Sequence, residues 1–135
     1  MGQQQLLLII LGVIIVGVAI AVGISMFSGQ SEKSAKDAVM TDLNNLSADA
    51  YQYKIRPTTM GGGNGAYTGG GGYNAGVGTI TTGAWGSSNP NATYEVTAEA
   101  AQSITLKGTS KSYPTKSVTA TVDGSGAVTI STASW

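Results

Sequence analysis

The pattern of apolar and polar positions changes period three times along the chain. Residues 6–27 carry no charge and a single hydroxyl, Ser25. At about 1.5 Å per residue, 22 helical residues span roughly 33 Å, enough to cross a hydrocarbon core of about 30 Å. From Ala35 the apolar positions thin to one stripe, Ala35, Val39, Leu43, Leu46, Ala50 and Tyr53, spaced by three and four. That spacing draws one face of an amphipathic helix. Ser28-Gly29 is the only soft spot between the two parts, and Pro57 disfavours helix at Arg56. The pattern therefore predicts one helix from about Gln3 to Ile55.

Residues 61–78 follow, ten of them glycine, with Asn64, Tyr67, Tyr73 and Asn74 between. No helix forms from such a run. No strand precedes it and no Lys-Ser/Thr pair closes it, so it is not a phosphate loop. It reads as a connection from helix to sheet, with a sharper reading in which its backbone and tyrosines contact a neighbouring copy.

The last third alternates with period two. Tyr94, Val96 and Ala98 are set against Thr93, Glu95, Thr97 and Glu99, which read as the solvated side. Ile104 and Leu106 alternate with Ser103, Thr105 and Lys107. Val118, Ala120 and Val122 lead into a turn at Asp123-Gly124-Ser125-Gly126, and Val128 and Ile130 continue the inward set, as in a hairpin. One apolar and one hydroxyl face imply an antiparallel sheet covered on one side, and the cover is the stripe on Ala35–Tyr53. The expected fold is α+β, a long N-terminal helix packed on a small sheet. Its parts are a hydrophobic helix half (1–28), an amphipathic half (29–56), a glycine-rich loop (57–78) and a sheet head (79–135). The residues expected to join helix and sheet are Ala35, Val39, Leu43, Leu46, Ala50, Tyr53, Val96, Ile104, Leu106, Val118, Val122, Val128 and Ile130. Trp85 and Trp135 are expected at sheet ends.

Composition narrows the chemistry. The 135 residues hold no Cys and no His, and charged residues are 10% of the chain with a net charge of zero. Thiol nucleophiles, disulfides, the usual zinc sites and the commonest general base are excluded. No basic field suggests nucleic acid. The seven carboxylates are scattered, so the expectation is a protein without catalytic, cofactor or metal sites. Ser and Thr supply 21 of the last 57 residues, which suits an extracellular surface.

The greasy segment is not a secretory signal. It has no basic start, its apolar core exceeds 7–15 residues, and no small-x-small cleavage site follows Phe27. A myristoylation motif is missing because position 6 is Leu. Gly12, Gly17 and Gly23 recur along it, and Ala19 with Gly23 makes a small-xxx-small pair of the kind that lets helices approach closely. A helix apolar all round must be buried on all sides, by lipid or by its own copies.

The string GQQQLLLIILGVIIVG and its continuation to Phe27, followed by an amphipathic half, a glycine-rich loop and a small sheet, resembles a type IV pilin. The likeness covers the whole chain in architecture and the first 27 residues in character. It implies a structural subunit that rests in the inner or cytoplasmic membrane, is cut by a prepilin peptidase after a glycine such as Gly2, and is drawn by pilus assembly machinery into an extracellular homo-oligomeric filament. The core of that filament would be packed from Leu6, Leu7, Leu8, Ile9, Ile10, Leu11, Gly12, Val13, Ile14, Ile15, Val16, Gly17, Val18, Ala19, Ile20, Val22, Gly23 and Phe27. Bacterial members commonly carry a glutamate near the start of this helix, where Gln3, Gln4 and Gln5 stand here, and a proline near its twentieth residue, which this chain lacks. Both departures resemble archaeal-type pilins or an unusual bacterial branch. A leader of only Met1-Gly2 lacks the usual basic residues, so the chain is expected to retain Met1 when assembled; cleavage after Gly2, leaving Gln3 first, is the alternative that fits the glycine rule. The alternative is a single-pass pseudopilin or surface adhesin that forms no long fibres. Two N-x-S/T sequons occur, at Asn45 and Asn91; the first lies on the packing stripe, the second in loop-like sequence.

Overall fold

A computed structural model describes residues 2–73 and 88–135 and the backbone of 78–79. Met1, Asn74 and Trp85, considered above, lie outside the described residues. The element order is α1 (Gly2–Ile55), β1 (Gly78–Thr79), β2 (Ala92–Ala100), β3 (Ser103–Ser110), β4 (Ser117–Val122) and β5 (Val128–Ser134). Between α1 and β1 lie two single-turn 3-10 helices, Thr58–Met60 and Gly69–Gly71. The expected α+β fold is present: one long N-terminal helix and a small antiparallel sheet packed on part of it. By compactness the chain divides into residues 1–34 and 35–135.

In the first unit the helix runs through Ser28-Gly29 without a break. Its large apolar side chains are all exposed, from 50% at Leu11 to 76% at Phe27.

In the second unit, α1 ends at Ile55, two residues before Pro57, as the proline predicts. The strands follow one another antiparallel in the order β1-β2-β3-β4-β5, a meander. The core joins Val39, Leu43, Leu46 and Ala50 of α1 to Ala92, Tyr94, Val96, Ile104, Leu106, Val118, Ala120 and Val122. Ala35 is half-buried, and Tyr53 and Ile130 pack at the core's margin. Trp135 also packs there, its ring edge-on to Tyr113 with centroids 6.4 Å apart. Gly108 sits between Tyr94 and Val118 in the sheet register. A Cβ there would come within 2.8 Å of Val39 and 2.9 Å of Tyr94, so its bare backbone is what lets the helix settle on the central strands.

Two expectations about the sheet are corrected. β2 carries a bulge between Val96 and Ala98, and one extra residue reverses which face each later side chain meets. Ala98 becomes exposed opposite Thr105, while Glu99 lies opposite buried Ile104 and accepts the Tyr73 N–H at 2.6 Å. Glu99 is therefore not on the solvated side, where Glu95 remains in a 3.4 Å ion pair with Lys107. Val128 pairs with Val122 but stays 38% exposed, because β5 is the edge strand and has a neighbour on one side only. It does not belong to the helix–sheet core.

The turn after β4 forms as expected. The Asp123 carboxylate accepts the Ser125 N–H at 2.8 Å, the Ser125 hydroxyl at 2.7 Å and the Ala127 N–H at 2.9 Å. These hydrogen bonds, led by the Ser125 hydroxyl, hold its carboxyl below the usual range.

The glycine-rich run folds back as a cap on the end of α1. A helix leaves its last carbonyls unpaired, and here N–H groups of the run supply the partners. Gly63 donates to Tyr53 O at 2.8 Å, Asn64 to Arg56 O at 2.9 Å and Gly65 to Lys54 O at 2.6 Å. Such close backbone contact excludes side chains. A Cβ on Gly69 would lie 1.8 Å from Gly63 O. Gly69→Ala is thus expected to cost about 3 kcal/mol and to lower the head's melting temperature by roughly 12–24 °C. Circular dichroism melts of the two chains measure it, and an unchanged midpoint would contradict this packing.

Candidate functional site

The residues expected to build a filament core all lie on α1, in the unit of residues 1–34, and all are exposed. Leu6 is 62% exposed, Val16 57% and Ile24 66%. Gln3, Gln4 and Gln5 are exposed at the start of the helix. A Cβ added to Gly12, Gly17 or Gly23 would meet nothing within 4 Å. In water each of these glycines costs a helix about 1 kcal/mol relative to Ala, and no packing among the described residues requires them. The helix is long and apolar enough to cross a membrane, and none of its most apolar window is buried within the chain.

The second unit holds a set of polar ties that sequence reasoning missed, all on the core face of α1. Asp42 is 5% exposed and gathers three donors on one carboxylate oxygen. Asn89 Nδ2 donates at 2.8 Å, Asn91 Nδ2 at 3.0 Å, and the Tyr94 hydroxyl completes the set. Asn89 itself closes a turn, accepting the N–H of Asn91 and of Ala92 at 2.9 Å. One turn pair further along the helix, Asp49 accepts the Tyr73 hydroxyl at 2.8 Å. Lys54 is buried with its ammonium donating to Gly124 O, 5.6 Å from the centre of the Tyr67 ring and 5.9 Å from that of Tyr51. The available signal was the Asn-Pro-Asn turn directly before β2, whose amide side chains can donate to a carboxylate on the helix.

Tyr67 and Tyr73 are also core residues, 0% and 3% exposed. Tyr67 donates its hydroxyl to Asp123 O at 2.7 Å and its N–H to Ala101 O at 3.0 Å. The reading in which the tyrosines of the glycine-rich run meet a neighbour is overturned, because both rings are spent inside the chain.

Burial has an electrostatic consequence. Tyr67 is pushed up to about 12 by burial, with the Asp123 charge and Tyr51 adding to it. Tyr73 is raised by burial, then by its hydrogen bond to Asp49 and that group's charge; Tyr94 is raised by burial and then by Asp42 in the same two ways. The unfolded chain ionises its tyrosines near 10. A group whose folded value is raised adds stability that is complete below the unfolded value and is lost as pH climbs through the folded one. The head is therefore expected to hold its full stability up to about pH 10 and to melt progressively earlier between about 10 and 12. Absorbance at 295 nm against pH should show part of the tyrosine titration delayed until the circular dichroism signal collapses. A single titration near 10 with the fold intact would contradict it.

Among the described residues, no three His, Cys, Asp or Glu side chains converge to hold a metal. The chain matches no protein-family model, no curated protein and no solved structure.

Proposed function

We propose that the chain is the structural subunit of an extracellular helical filament, with residues 6–27 as its core. The observation that carries this reading is an all-round apolar helical segment, at least half exposed at every large side chain, that continues into a helix locked onto a folded head. Full burial of a large apolar side chain is worth about 1.5–3 kcal/mol. A chain with 16 such exposed residues in this segment has a strong drive to cover them. Lipid covers them first. In lipid there is no hydrophobic drive between helices, so drawing the segment out requires work, which an assembly machine of the pilus type supplies. Once outside, in water, only the same segment of other copies offers a matching surface. Gly12, Gly17 and Gly23, which pack against nothing among the described residues, then let neighbouring backbones approach. Three glutamines at the start offer neutral hydrogen bonds in place of a buried ion pair, which avoids desolvating charge.

Shearing the surface of cells that make the chain, followed by electron microscopy and mass spectrometry of the released material, tests the reading. Long uniform fibres composed of this chain are expected. The chain remaining wholly in the membrane fraction would instead favour the second reading, a single-pass anchored pseudopilin or adhesin, which rests on the same membrane-length helix.

A further inference from the structure

Of the two N-x-S/T sequons, the structure leaves one usable. Asn45 is exposed, but its partner Ser47 is fully buried in α1 and its hydroxyl donates to Leu43 O at 2.6 Å. A helical tripeptide with its hydroxyl turned into the core offers an enzyme nothing to grip. The sequon Asn91-Ala92-Thr93 has the opposite arrangement. It spans the turn into β2, both Asn91 and Thr93 are exposed, and buried Ala92 between them pins the segment to the core. The Thr93 side chain opens on a shallow hollow of about 410 Å³, lined also by Glu95, Thr109, Ser110, Lys111 and Pro114. Hydroxyls, one acid and one base in a shallow hollow are the lining that sugar hydroxyls pair with.

We infer that Asn91 is a site of N-linked glycosylation, its donor an oligosaccharide carried on a polyisoprenyl phosphate or diphosphate. In the transfer, Asn91 Nδ2 attacks C1 of the first sugar. The C1–N bond forms as the C1–O bond to phosphate breaks, the lipid phosphate leaves with the electron pair, and one Nδ2 proton passes to the transferase's base. The amide has two N–H bonds, and the folded head uses one of them to reach Asp42. The product keeps a single N–H, so the tie to the helix and the glycan are compatible on one nitrogen.

This inference rests on the proposed placement of the head outside the membrane. The test is peptide mapping by mass spectrometry of the full chain isolated from its own cells. The peptide containing Asn91 is expected to carry added sugar mass and to release sugar fragment ions. Thr93→Ala should remove that mass entirely, Thr93→Ser should retain it, and Asn45→Gln should leave it unchanged. Thr93 is exposed, so a melt of Thr93→Ala is expected to match the parent and to separate loss of the motif from loss of the fold. An Asn91 peptide found only at its bare polypeptide mass overturns the inference, as does sugar that survives Thr93→Ala. Fibres built of unmodified chain would overturn the glycan and leave the filament standing, whereas glycosylated Asn91 without fibres would support the glycan and sink the filament.

Discussion

Val16→Asp is expected to abolish fibres while leaving the head folded. Val16 stands at the middle of residues 6–27 and is 57% exposed, with no partner to lose among the described residues. The head's melting temperature should therefore match the parent's. In the bilayer a carboxylate at a helix centre costs about 2.5–3.5 kcal/mol on insertion scales, which a span this apolar tolerates, so the variant should still accumulate in membranes. In a rod of packed helices the same carboxylate has neither water nor a counterion, since residues 6–27 contain no basic group. The penalty there is several kcal/mol per ion, and it repeats at every subunit added. Val16→Leu, which keeps the surface apolar, should assemble. Counting fibres released by shearing from the three strains measures the effect, and normal fibres from Val16→Asp would refute burial of this segment.

Asp42→Ala should be the most damaging single change to the polar ties of the head. It removes the acceptor from three donors at once and leaves the Tyr94 hydroxyl buried without a partner. Orphaning a buried donor costs about 1–3 kcal/mol, and hydrogen bonds to a charged group are at the upper end. A loss of about 3 kcal/mol is a large share of the 5–15 kcal/mol typical of a domain. Urea unfolding followed by circular dichroism should show a lower midpoint at unchanged slope. Asp42→Asn retains one acceptor oxygen and should fall between the two. A midpoint for Asp42→Ala within error of the parent would mean the cluster is replaced by water and holds nothing.

What could be read from the sequence was what depends on local spacing. The helix from its start to Pro57, the stripe of Val39, Leu43, Leu46 and Ala50, and the hairpin around Asp123 are encoded by residues within one or two turns of each other. What could not be read depends on partners distant in the chain. The bulge at Thr97 needs the β3 register before it exists, and it alone moves Glu99 to the inner face. Nothing near Asp42 in the sequence marks it as a buried acceptor, because its donors lie 47 to 52 positions away. Val128 obeyed the alternation and was still left uncovered, because periodicity says which face a residue takes and not whether anything lies over it. The glycine-rich run looked like a bare connection; its role as a helix cap follows from backbone contacts that composition does not specify. The candidate assembly segment was the most legible feature, since uniform apolarity over 22 residues needs no register to be recognised.

The central claim is that residues 6–27 leave lipid to pack against the same residues of other copies. Helical reconstruction of native fibres by electron cryomicroscopy tests it most directly. The account predicts a central bundle of parallel helices in which Val16 of each copy is enclosed by apolar side chains of its neighbours, with sheet heads outside. Fibres whose centre is built by another protein, with residues 6–27 of this chain facing solvent or lipid, would contradict it.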